Sequence, residues 1–122
     1  ASPFVALHEV DSADVFTTPT YRAQAGPSNT GEWQSLMGNW HRNLFDRDGT
    51  PEVPPDARLV VVEDGAAVPD GVPLAWMEAV GLDRSVPRRG LAVMSPATAD
   101  PLVGRPGIRM LRPIGPRLTA RR

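Results

Sequence analysis

The residues able to do chemistry are few. The chain has two histidines, His8 and His41, and no cysteine in its 122 positions. His41 follows Trp40 and precedes Arg42 and Asn43. An imidazole titrates near neutral pH and serves as a general base. A neighbouring guanidinium and amide can hold an enolate or phenolate oxygen. His41, Arg42 and Asn43 are therefore the candidate catalytic group. If the segment is a strand, Arg42 points away from His41 and Asn43. The competing reading is polar surface flanking a buried Trp40.

His8 and Glu9 are adjacent on a strand-like segment and face opposite sides, so they form no dyad. His8 shares a face with Phe4 and Ala6, which suits helix packing or a ligand wall. Tyr21, Trp33, Trp40 and Trp76 are candidates for the wall of an aromatic-ligand pocket. Core packing explains them equally well.

Other chemistries are excluded. No HxH or HExxH spacing exists, and a metal needs more ligands than two scattered histidines supply. Without cysteine there are no disulfides, thiolate sites or Cys nucleophiles. All 13 basic residues are Arg, which removes Schiff-base and PLP lysines and the P-loop lysine. The all-Arg usage points to a high-GC, bacterial genome. No serine stands in a GxSxG elbow and no GxGxxG fingerprint is present.

The composition, 41% hydrophobic and 22% charged, is that of one small globular domain. Apolar runs such as residues 59–62 fall far short of the roughly twenty residues a membrane helix needs. No signal-peptide pattern opens the chain, so the expected location is cytoplasmic, away from membranes. Residues 1–104 hold seven Arg against all fourteen acids, and residues 105–122 hold six Arg and no acid. The basic tail is expected to lie on the acidic body or on an acidic partner, the alternative being a solvated tail. It has no aromatic residue for stacking, which argues against nucleic acid.

The elements that position these residues follow from periodicity and punctuation. Residues 4–10 (FVALHEV) alternate as a strand. Ser12, Thr17 and Thr18 are helix caps ahead of Pro19, with a helical turn through residue 24. Trp33, Leu36, Met37 and Trp40 have helical spacing over residues 32–40. A strand over about 40–46 ends at Asp48-Gly49. The proline-rich segment 50–56 links halves 1–49 and 57–104. Arg58–Glu63 (RLVVVE) is the clearest strand. Residues 74–82 (LAWMEAVGL) read as a short helix with a poorly defined apolar face. Residues 87–94 read as a strand, 96–107 as a loop and 108–114 as a last edge strand limited by Pro113. The order strand–helix–strand, linker, strand–helix–strand predicts an α+β, ferredoxin-like antiparallel sheet with helices on one face. The other face then needs a cover, for which a second copy serves, giving a homodimer.

Phe4-Val5-Ala6-Leu7-His8-Glu9-Val10-Asp11-Ser12 and Val15-Phe16-Thr17-Thr18-Pro19-Thr20-Tyr21 resemble the EthD-like group of the dimeric α+β barrel superfamily. That group has a strand of the type LALYE followed by an acidic turn and an SPxY helix start, and His8 stands here for the strand tyrosine. Trp40-His41-Arg42-Asn43-Leu44-Phe45 is similar to the family's closing strand. The resemblance covers about 45 residues. In the second half Trp76-Met77 is the nearest counterpart of the family's helix motif, and the closing-type unit comes first. The resemblance implies a dimeric barrel that acts without cofactor on a small hydrophobic or aromatic ligand, as an oxygenase, isomerase or cyclase. His41 would be the acid/base, Arg42 and Asn43 would bind oxygen atoms, and His8, Tyr21, Trp33 and Trp40 would line the ligand. The alternative is a non-catalytic binding or assembly module.

Overall fold

A computed structural model describes residues 4–24, 42–47, 49 and 51–118. Its centre is a five-stranded, wholly antiparallel sheet, in the spatial order β1-β3-β4-β2-β5. The strands are β1 (Asn43–Phe45), β2 (Arg58–Glu63), β3 (Ala75–Leu82), β4 (Arg88–Met94) and β5 (Ile108–Leu111). Two short helices, α1 (Pro19–Gln24) and α2 (Pro96–Ala99), accompany it. The architecture is α+β in type and dominated by the sheet.

β2 is interior because its sequence leaves no other choice. Leu59 to Val62 are all buried, so both faces of the strand are apolar. β-Branched side chains fit a pleated ladder well. β4 pairs along its full length, from Arg58 opposite Met94 to Glu63 opposite Arg89. β5 pairs on the other side, with Val61 opposite Arg109.

Alternation divides the apolar residues into two clusters. Val60, Val62, Ala92 and Ile108 point to the first face, where Ala99 of α2 and Leu102 of the following 3-10 turn cover them. The β2–β3 crossover adds Val68, Val72 and Leu74 to this cluster. Leu59, Val61, Met77 and Leu91 point to the second face, with Phe45, Val53 and Leu111 against them. Full burial of each Val, Leu, Ile or Met side chain among them contributes about 1.5–3 kcal/mol.

The structure corrects three sequence expectations. Residues 75–82 form a strand rather than a helix. Burial there has a period of two: Met77 is buried, Glu78 exposed, Ala79 half-buried and Val80 exposed. The ladder to β4 sets Trp76 opposite Gly90 and Met77 opposite Arg89. Gly90 leaves room for the Trp76 ring, since a Cβ there would lie 3.3 Å from it. Residues 4–10 are the second correction. They belong to no strand and are exposed throughout.

Several local expectations hold. Ser12 accepts a hydrogen bond from the Asp14 amide at the start of a 3-10 turn over Ala13–Thr17. The Thr18 hydroxyl accepts from the Tyr21 amide at the start of α1. The loop expected over 96–107 is a further correction: it contains α2 and its 3-10 continuation, Asp100–Leu102, because Ser95 caps the helix and Pro96 suits its first position. The helix expected over 32–40 lies outside the described residues.

Candidate functional site

Residues 4–13 run along the second face of the sheet and leave an open groove of about 1520 Å³ between them and the strands. Met77 and Leu91 form part of its apolar floor, and Val5, Leu7 and Phe16 lie along its walls. At one end α1 brings Tyr21 to the groove, where its ring packs edge-on against Phe16 with centroids 4.9 Å apart.

Arg42 is the polar hub of that end. Its Nη1 donates to the Tyr21 hydroxyl at 3.1 Å, and its Nη2 lies 3.7 Å from an Asp83 carboxylate oxygen. Its Nε is enclosed and has no hydrogen-bond partner among the described residues. The Arg42 amide donates to Asp83 Oδ2 at 2.8 Å, and the Asp83 amide donates back to the Arg42 carbonyl at 2.9 Å. Arg42 thus joins β1, α1 and the β3–β4 turn.

Asn43 is committed to that turn. Its side-chain amide donates to Ser85 Oγ at 2.9 Å, and its Oδ1 accepts from the Ser85 amide at 2.8 Å. The turn needs this grip. Leu82 and Arg84 both have positive φ, 58° and 45°, in the left-handed region that costs a side-chain-bearing residue free energy.

Along the floor, Arg89 grips Glu63 with two nitrogens, Nη2 at 3.1 Å and Nε at 3.3 Å from the two carboxylate oxygens. Both side chains are partly buried, which makes the pair stronger than an exposed one. Among the described lining residues, Arg42, Arg47, Arg89 and Arg109 face Glu9, Asp11, Asp46 and Glu63, so the charges balance. The groove is amphipathic, and its Arg, Asp and Glu side chains carry no formal excess of either sign.

Of the residues singled out in the sequence, His8, Tyr21, Arg42 and Asn43 all line this groove. Tyr21 and Arg42 touch directly, while the Asn43 amide turns to Ser85. His41, Trp33 and Trp40 lie outside the described residues. Trp76 is on the opposite face of the sheet, with the Arg88 guanidinium 4.0 Å from its ring centroid. Among the described residues no cluster of His, Asp and Glu is arranged to hold a metal, and no helix is long and apolar enough to cross a membrane.

Sequence reasoning missed Glu63, Arg89 and Asp83. Strand parity was the available signal for the first two. Glu63 shares a face with Leu59 and Val61, and Arg89 shares one with Leu91 and Val93. Their mutual approach depends on the β2–β4 register, which no local pattern encodes. Comparison of the chain with protein-family models, curated proteins and solved structures finds no match to any of them.

Proposed function

We propose that this protein binds a small hydrophobic or aromatic ligand in the groove, as one half of a homodimeric, ferredoxin-like α+β barrel of EthD-like type. The observation that carries the reading is the amphipathic groove itself, with Met77, Leu91 and Phe16 offering apolar contact and the Tyr21–Arg42 pair marking a polar end. A ligand with an apolar body and one oxygen function matches that division. The catalytic extension of this reading is cofactor-independent, with His41, next to Arg42 in the chain, as acid/base.

Leu59, Val61, Met77 and Leu91 are buried within the single chain, at the sheet face beneath the open groove. A second copy would also cover Phe4, 70% exposed, and Val5, Leu7 and Val10 beside it. The same exposure supports the second reading, a non-catalytic assembly module.

Native mass spectrometry combined with calorimetric titration of aromatic and polyketide-like carboxylates and phenols tests the proposal. A dimer taking up one ligand per chain, with affinity reduced about tenfold or more by Arg42→Ala, supports it. A dimer that takes up none of them supports the assembly reading, and a ligand-free monomer overturns both.

A further inference from the structure

We propose that the Tyr21 hydroxyl is the hydrogen-bond donor to the bound ligand, that Arg42 is its positioning residue, and that the ligand presents a ketone oxygen to it. The inference rests on the reading of the groove as a ligand site. It adds which atom meets the ligand and what the ligand must offer there.

The direction of the bond between the two side chains is fixed by their chemistry. A guanidinium donates and has no acceptor. Across 3.1 Å Arg42 Nη1 therefore donates, and the Tyr21 oxygen accepts. The hydroxyl keeps its own hydrogen, which goes to no acceptor among the described residues. A half-buried tyrosine ordinarily finds a partner for that hydrogen. A hydroxyl that accepts from a cation is also polarised into a better donor. Both residues line the groove, so the donor is offered at its polar end.

The donor is held in place from two sides. The Tyr21 ring stands edge-on to Phe16 at 4.9 Å, and its amide is bonded to the Thr18 hydroxyl at 3.2 Å. Arg42 is held by Asp83 through its amide at 2.8 Å and its guanidinium at 3.7 Å. The Asp83 carboxylate also offsets the charge of Arg42. Among the described lining residues the other Arg and acidic side chains balance as well. The polar end therefore offers a directed hydrogen bond without a surplus of positive charge. An uncharged acceptor, a ketone carbonyl on an apolar body, is the oxygen function that matches it.

The test titrates the full chain with α-tetralone and with tetralin, which differ at one carbonyl oxygen. The chain should bind α-tetralone about three to ten times more tightly than tetralin, the worth of one net hydrogen bond. Tyr21→Phe keeps the ring against Phe16 and should abolish that preference while leaving tetralin binding unchanged. Arg42→Ala should reduce the preference in the parent chain and change nothing further in the Tyr21→Phe background. The protein has a single tyrosine, so a label at its Cζ gives one NMR signal, which α-tetralone should shift more than tetralin does. A preference that is absent, or that survives Tyr21→Phe, overturns the assignment of the donor and leaves the groove as a ligand site. A further loss from Arg42→Ala in the Tyr21→Phe background overturns the positioning role, since the guanidinium then meets the ligand itself. Binding of neither probe overturns the ligand-site reading and the donor with it.

Discussion

Arg42 and Asp83 hold each other through both backbone and side chain. Their amides and acceptors exchange hydrogen bonds at 2.8 and 2.9 Å, and the guanidinium stands 3.7 Å from the carboxylate. Through this contact the residue that marks the polar end of the groove is also the one that restrains a strained turn. Asp83→Ala should cost about 1–2 kcal/mol, the range for a hydrogen bond to a charged group discounted for exposure. Urea denaturation measures it. A change under about 0.5 kcal/mol would show that the turn stands without Asp83.

Two glycines separate backbone strain from steric conflict. Gly71 and Gly107 both have positive φ, 87° and 74°. A Cβ on Gly71 meets nothing within 4 Å, whereas one on Gly107 would lie 2.8 Å from the Ala66 Cβ. The Gly107 carbonyl also accepts from the Glu63 amide at 2.8 Å, next to the ion pair on the groove floor. Gly71→Ala should cost about 1 kcal/mol from φ alone. Gly107→Ala should cost at least about 1 kcal/mol more, read as the difference between the two unfolding midpoints. Equal losses would mean that the 64–74 crossover yields freely.

The two faces of the sheet should respond independently. Leu91 belongs to the second-face cluster and Leu102 to the first. Each Leu→Ala change should cost about 2–5 kcal/mol through lost burial and a residual cavity. The double variant should lose about the sum, because the clusters share no member. A double loss well below the sum, in a variant that still unfolds cooperatively, would show that the clusters act as one unit.

The Glu63–Arg89 pair is more buried than the Glu9–Arg117 pair, and the two should differ in strength. A double-mutant cycle with Glu63→Gln and Arg89→Met should give a coupling of about 1–2 kcal/mol, the partly buried fork exceeding the usual surface pair. The coupling of Glu9 with Arg117, more exposed, should be about 1 kcal/mol or less. Repeating both cycles in 1 M salt should reduce the second far more than the first. Equal salt sensitivity would place both pairs in the same solvent environment.

What the sequence alone determined is what local chemistry determines. Four successive apolar residues between Arg58 and Glu63 make an interior strand whatever else the chain does. Thr18 before Pro19 begins a helix because the hydroxyl meets a free amide in the first turn. Alternation over residues 108–114 reads as a last edge strand, and the structure forms it over Ile108–Leu111, short of Pro113. Tyr21, Arg42, Asn43 and His8 could be singled out as chemically capable, and they line one groove.

Only the tertiary structure decided between helix and strand for residues 75–82. An apolar stretch with one charge satisfies either period, and the choice fell to the β4 ladder, with Gly90 making room for Trp76. It also decided that residues 4–10, strand-like in pattern, stay outside the sheet, since alternation supplies a face but no partner. Glu63 meets Arg89 for the same kind of reason. Strand parity sets which face a side chain takes, and register, a property of two distant segments at once, sets what it touches.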